Sequence, residues 1–182
     1  MMLPDVLDTP RLTMRTWSLS FQGGYERLCS DPEVMAYIAE GHAYSPDRAK
    51  LSQQKIYDHW QAHGYGMYGL FLKGQHELVG IAGLTTADYL NATRTMPEIG
   101  WRLKKELWGQ GYASEAARAL LDFLPTSIPE LCAVNQPGNI QSQELARKLG
   151  FKLLTTDRDF GKEVQVWYLG DLSINRGSNI QV

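Results

Sequence analysis

The stretch that most restricts how this chain can fold is Trp108-Gly109-Gln110-Gly111-Tyr112, set between a strand-like segment and a periodic helix. Upstream, Pro97 to Leu103 reads as the strand. Downstream, Ala113, Ala116, Ala117, Leu120, Leu121 and Leu124 recur at helical spacing, one apolar stripe that Pro125 is expected to stop. A strand that passes through a glycine turn into a helix gathers free backbone N–H groups and the helix's partial positive charge at one point. Gly109 and Gly111 remove the side chains that would cover those groups. The physical expectation is a cradle for a phosphate or pyrophosphate. Two nucleotide fingerprints fit poorly. A P-loop needs Gly-x4-Gly-Lys-Ser/Thr, and no lysine follows either glycine at the required place. A Rossmann turn would carry Gly or Ala where Ser114 stands and an acidic residue after the next strand, where Asn135 is found.

The rest of the chain supports a single mixed domain over residues 1–182. Leu12, Met14 and Thr16 alternate with Arg11, Thr13 and Arg15, so Arg11 to Trp17 reads as a strand. Phe21 to Gly64 has helix-like spacing. Asp31-Pro32-Glu33 caps a first helix there, and Ser45-Pro46-Asp47 a second that reaches about Ala62 before His63-Gly64. Met67 to Leu72 and Glu77 to Thr85 form a hairpin around Gly74-Gln75, with Gly80 and Gly83 marking a bulge or a close backbone approach. Leu131 to Val134 is a short strand, and Asn139 caps a helix ending at Leu149-Gly150. Lys152 to Thr156 and Val164 to Leu169 close the fold, with 170–182 expected as a frayed tail. The fold class implied is α/β (α+β), built on a largely antiparallel sheet.

Composition sets outer limits. The 182 residues carry 18 Lys plus Arg against 20 Asp plus Glu, a net charge of −2, which supplies no global basic field for nucleic acid or an anionic membrane. No run of eighteen apolar residues occurs, and the first ten residues lack the pattern of a secretory leader. Cys29 and Cys132 read as buried apolar residues, too few for a disulfide framework. A reduced, cytoplasmic protein is expected. His59 and His63 have the i, i+4 spacing of metal ligands but lack a third ligand, so a solvated helix end is preferred and no metal is expected.

Trp108 to Ala116 resembles the cofactor-binding turn of the GCN5-related N-acetyltransferases, in particular the branch similar to the ribosomal-protein N-terminal acetyltransferases. The resemblance extends in order through Thr9-Pro10-Arg11-Leu12, Ser30 to Met35, Gly80 to Leu84, Glu98-Ile99-Gly100-Trp101, Asn139-x-x-Ser142 and Lys148 to Phe151. It implies an acetyl-CoA-dependent enzyme whose central sheet splays apart between the family's fourth and fifth strands. In that likeness the turn residues Trp108, Gly109, Gln110, Gly111, Tyr112, Ala113 and Ser114 hold the pyrophosphate, mainly through backbone amides. Trp101, Arg102 and Leu103 align the pantetheine and polarise the thioester carbonyl. Asn139 and Ser142 contact the cofactor from the last helix. Trp108 departs from the family's usual Gln or Arg and forgoes side-chain help to the phosphate.

Transfer to an amine needs a base and a proton donor. Glu98 shares its strand parity with Gly100 and Arg102, so it is the candidate base, acting through water; solvent exposure or pairing with Arg102 is the alternative. Ser142 is the candidate acid, because Ala146 stands where many relatives have tyrosine. Its alternative is to satisfy free N–H groups at the helix start. The acceptor expected is a primary amine, on a protein N-terminus or a small molecule. Relatives cover that site with the first two helices, here rich in rings (Tyr25, Tyr37, Tyr44, Tyr57, Trp60, Tyr65, Tyr68), with Glu33 or Glu40 nearby; core packing is the alternative for most of them. The resemblance also implies a monomer or homodimer. The competing reading is a non-catalytic acyl-CoA-binding sensor of the same fold.

Overall fold

The computed structural model describes residues 3–90, 93, 96–124 and 127–170. Its frame is an eight-stranded sheet in the order β1-β2-β3-β4-β5-β6-β8-β7. The strands are β1 (Val6–Asp8), β2 (Leu12–Arg15), β3 (Met67–Leu72), β4 (Leu78–Thr86), β5 (Pro97–Leu103), β6 (Leu131–Asn135), β7 (Lys152–Asp159) and β8 (Lys162–Leu169). Five helices accompany them: α1 (Gln22–Ser30), α2 (Pro32–Met35), α3 (Pro46–His63), α4 (Tyr112–Phe123) and α5 (Ile140–Lys148). Every neighbouring pair of strands is antiparallel except β5 and β6, which run parallel. Parallel neighbours need a crossover, and α4 provides it.

Local chemistry explains most element boundaries. Asp31 accepts from the N–H groups of Glu33 and Val34, and Ser45 accepts from Arg48, as their cap positions anticipate. The first capped helix is nevertheless a single turn. Ala39 (φ 48°) and Gly41 (φ 81°) turn the chain left-handed soon after Met35, so α2 cannot continue, and the longer α1 precedes it. Helix α3 closes on Gly64 in the left-handed conformation. Helix α4 ends at Phe123, and Leu124 is already extended, the bias of a residue before proline; Pro125 itself lies outside the described residues, as does the expected tail beyond Gly170.

Two further boundaries differ from the sequence reading. The N-terminal segment forms two strands, because Leu7 is buried and pairs with Met14 while its neighbours Val6 and Asp8 face solvent. The family's fourth and fifth strands are therefore β5 and β6 here. The β7–β8 hairpin is also longer than anticipated, with Phe160 (φ 47°) and Gly161 (φ 75°) both left-handed in its two-residue turn. In β4, Gly80 and Gly83 serve the purposes expected. The register slips, so that Leu70 faces Gly80 and Phe71 faces Leu78, and a Cβ at Gly83 would collide with the Gly66 carbonyl.

The core lies along the first half of the sheet. Met67 to Phe71 are all buried, Leu12 and Met14 beside them fully so, and α4 packs across β2, β4 and β5. The small face of α4, Ala116 and Ala117 with Leu120, lets the helix approach closely and fixes where its N-terminus points.

Candidate active site

The site begins where the sheet opens. β5 pairs with β4 along its whole length, from Thr86 opposite Pro97 to Gly80 opposite Leu103. With β6 it forms one register pair, Glu98 with Cys132. Beyond Glu98 the two strands diverge and leave a cleft of about 790 Å³. Trp101, Arg102 and Leu103 line one side, and Asn139, Ser142 and Leu145 of the α5 region the other.

The glycine turn sits at the mouth of this cleft. Gly109 (φ 71°) and Gly111 (φ 83°) are left-handed, a conformation that disfavours any side chain, and the space beside Gly109 is open. No side chain caps α4, so its first N–H groups face the cleft without a side-chain acceptor. That arrangement suits an anion. Trp108, Gly109, Gly111, Tyr112, Ala113 and Ser114 all line the cleft, whereas Gln110 does not. Its amide donates back to the Glu106 carbonyl at 2.6 Å and its own carbonyl accepts from Arg11 at 2.9 Å. The Trp108 indole donates to the Leu103 carbonyl at 2.9 Å, tying the turn to the end of β5. Where a relative's side chain would reach toward a ligand, this one braces the turn.

A second pocket of about 320 Å³ lies between β5 and β6, lined by Glu98 to Arg102 and by Ala133, Val134 and Asn135. Tyr37, Ile38, Trp101, Arg102, Asn139 and Ser142 line both spaces, so the two communicate there. Glu98 lies in this second pocket with Tyr89, Asp159 and Phe160. The Tyr89 hydroxyl donates to Glu98 Oε2 at 2.7 Å. Burial, with added repulsion from Asp159, raises the Glu98 carboxyl to about 7, although the Tyr89 bond works the other way. A carboxyl with that affinity takes and releases protons at neutral pH. Glu98 does not pair with Arg102: the Arg102 Nη1 instead meets the Cys29 sulfur at 3.3 Å, and its Nε is buried without a partner.

Asn139 caps α5 by accepting from the Ser142 N–H at 3.2 Å. The capping duty thus falls to Asn139, and the Ser142 hydroxyl makes no hydrogen bond among the described residues. Of the rings in the helical region, Tyr25 and Tyr37 line the second pocket, while Tyr68 and Trp60 are core. Glu33 lines the larger cleft and pairs with Lys105; Glu40 pairs with Arg48 and lines neither space. Tyr89, Asp159 and Phe160 escaped the sequence reading, since a loop and a hairpin turn carry no periodicity that would direct attention to them.

The remaining candidates have structural roles. His59 and His63 stack at 4.4 Å beside Tyr65, and burial with the neighbouring imidazole holds His59 below its usual range. Among the described residues no three His, Cys, Asp or Glu side chains gather as metal ligands. Cys29 and Cys132 are buried, and burial pushes Cys132 to about 12. No helix among the described residues is long and apolar enough to cross a membrane.

A sheet half-opened beside an uncapped glycine turn, with a half-buried carboxyl raised to about 7 next to the opening, has the parts of a group-transfer site. Residues 11–152 match the acetyltransferase (GNAT) domain family, to which the chain belongs as an acyltransferase. It is 30% identical over 160 residues to p20, an uncharacterized N-acetyltransferase of Bacillus licheniformis, covering 87% of this chain and 88% of that one. A solved acetyltransferase from Agrobacterium tumefaciens superposes with a TM-score of 0.73 at 26% identity, over 93% of this chain and 95% of the other. The ribosomal-protein-S5-alanine acetyltransferase of Vibrio fischeri shares the fold, with a TM-score of 0.72 at 14% identity over 91% and 96% of the two chains.

Proposed function

We propose that the protein transfers the acetyl group of acetyl-CoA to a primary amine by direct attack, with the larger cleft as the cofactor site and the smaller pocket as the acceptor site. The observation that carries this reading is the meeting of the two spaces between Trp101, Arg102, Asn139 and Ser142, one strand turn from Glu98. The uncapped start of α4 and the two left-handed glycines fit a pyrophosphate. Acetyl-CoA, when bound, supplies an activated thioester.

The protein's own groups then handle protons and charge. Glu98, ionised in about half of the molecules near pH 7, takes a proton from the incoming ammonium, directly or through water. The neutral nitrogen forms the C–N bond and the C–S bond breaks; the second proton shed by the nitrogen replaces the one delivered to the departing sulfur, and the first passes from Glu98 to solvent. Ser142 is the donor at that sulfur, its hydroxyl uncommitted at the junction. Lys104 donates to Val79 on β4, so by alternation the N–H groups of Trp101 and Leu103 are the ones on the splayed edge of β5, where they meet the charge developing on the carbonyl oxygen. A sensor would not need a carboxyl tuned near neutrality, so the Glu98 environment favours turnover.

Calorimetric titration with acetyl-CoA of the parent and of Gly111→Glu tests the cradle. Binding by the parent and its loss in a folded variant support the reading. A folded parent that binds no acetyl-CoA overturns it. An acetyl-transfer assay across a panel of amines, run on the parent and Glu98→Gln, then separates enzyme from sensor.

A further inference from the structure

Arg102 is a cation without an anion. It takes part in no ion pair among the described residues, and its Nε is buried with no partner. Its electrostatic partners are Tyr25, Cys29 and Tyr44, none of them a carboxylate, and burial pushes the Cys29 thiol up and the Tyr25 hydroxyl to about 12. Arg102 as a whole is half-buried, but a guanidinium Nε buried in this condition is costly unless something pairs with it. A second donor is stranded nearby. The Asn135 Oδ1 accepts from the Trp167 indole at 3.4 Å, which leaves its Nδ2 buried and unpartnered. Both residues line the smaller pocket.

The same pocket is oppositely charged elsewhere, with Glu98 and Asp159 facing into it. A loop beside it is also held in place. The Gln136 amide donates to the Ala39 carbonyl at 3.1 Å, and the Lys162 ammonium to the Glu40 carbonyl at 2.7 Å, so the loop after α2 is tied down to β6 and β8. A space of about 320 Å³ with that rim suits a compact molecule better than a polypeptide.

We propose that the acceptor is a small zwitterionic amine, an amino acid whose carboxylate pairs with Arg102 and Asn135 while its amine faces Glu98. This rests on the reading of the smaller pocket as the acceptor site. The cofactor does not supply the missing anion, because its phosphates belong at the glycine turn and its pantetheine arm is uncharged. A planar guanidinium with a free Nε is matched to a carboxylate. Asp159 adds the field that favours a positively charged amine entering beside Glu98.

The test titrates the protein, saturated with CoA, against matched sets: glycine, alanine, methionine, glutamate and phenylalanine, each with its carboxamide, its decarboxylated amine and a tripeptide bearing it at the N-terminus. At least one amino acid is expected to bind roughly a hundredfold more tightly than its own carboxamide and amine, because losing the carboxylate leaves the buried donors unpaired. In Arg102→Gln that ratio falls toward one, and in Arg102→Lys part of it survives. Asn135→Asp, which sets a like charge beside the carboxylate, weakens the amino acid and spares the amine. Carboxamides, amines or tripeptides binding as well as the amino acid overturn the proposal, as does the failure of every member to bind. Turnover of a tripeptide or a simple amine without carboxylate preference sinks this inference and leaves acetyl transfer standing. Arg102-dependent amino-acid binding with no turnover does the reverse.

Discussion

The Arg11 Nε donates to Oε2 of Glu115 at 2.6 Å, while the Arg11 backbone N–H donates to Oε1 at 2.7 Å. The Thr9 hydroxyl donates to the same Oε1 at 2.6 Å, and the Arg11 guanidinium lies 4.2 Å above the Tyr112 ring. The Thr9-Pro10-Arg11-Leu12 segment is thereby a clamp on the glycine turn, joined across more than a hundred residues of sequence. Glu115→Ala strands three donors at once and is expected to cost about 2 kcal/mol of stability, with a several-fold loss of acetyl-CoA affinity as the turn loosens. Denaturant unfolding and calorimetry measure the two effects. Burial alone would raise the Glu115 carboxyl, but Thr9 and Arg11 together bring it below its usual 4.5. A lowered folded value means stability that is full above 4.5 and lost as pH falls below it. Glu115→Gln should lack that acid-dependent segment.

Glu98 has the opposite sign. Its carboxyl binds a proton more tightly folded, about 7, than unfolded, 4.5, so stability declines as pH rises between those values and is level above them. With Glu98 as the proposed base the ionised form is the active one, and kcat is expected to climb through about pH 7. Glu98→Gln should flatten both profiles and lower kcat by about a hundredfold or more.

The neighbours of Glu98 set where that climb occurs. Asp159 repels the ionised carboxylate, so Asp159→Asn should move the midpoint to lower pH. The Tyr89 hydroxyl donates to the ionised form, so Tyr89→Phe should move it higher. A pH–rate series on the two variants decides, and parallel shifts would show that neither group acts on Glu98.

Asn139 and Ser142 divide two duties at the start of α5. Removing the cap with Asn139→Ala is expected to cost about 1 kcal/mol. Ser142→Ala should leave the melting temperature within a degree or two, since Asn139 does the capping, and lower kcat by about tenfold as the proton donor is lost. A Ser142→Ala enzyme with full activity would assign the departing thiolate another donor, such as water.

Gly109 and Gly111 separate space from strain. At Gly109 a Cβ meets nothing within 4 Å, so Gly109→Ala carries only the left-handed penalty, about 1–2 kcal/mol, and should fold. Acetyl-CoA affinity is nevertheless expected to drop by tenfold or more, because the methyl stands where the phosphate must approach the backbone.

What could be read from the sequence was what is local. The turn at Trp108 to Tyr112, the stripe from Ala113 to Leu124 and the caps at Asp31, Ser45 and Asn139 each depend on residues within a few positions of one another. Glu98, Gly100 and Arg102 do line one pocket, but Ile99 and Trp101 of the opposite parity line it too, so alternation along the strand did not by itself place them. Tyr89 and Asp159 could not be found this way, because they reach Glu98 from a loop and from the far end of β7. Nor could the purpose of Arg11: nothing near it in sequence foretells a partner on α4. The single turn of α2 was misjudged for a related reason, since Ala39 takes a left-handed conformation that alanine alone does not announce.

Among the described residues, Glu98 and Cys132 are the one register pair joining β5 to β6. Five strands stand on one side of that pair and three on the other, like two leaves of a book held by a single stitch. A point on a hinge axis stays put while the leaves swing. A change in the width of the gap would therefore leave the Glu98 carboxylate, the proposed base, at the vertex, so the opening can vary in size without displacing it.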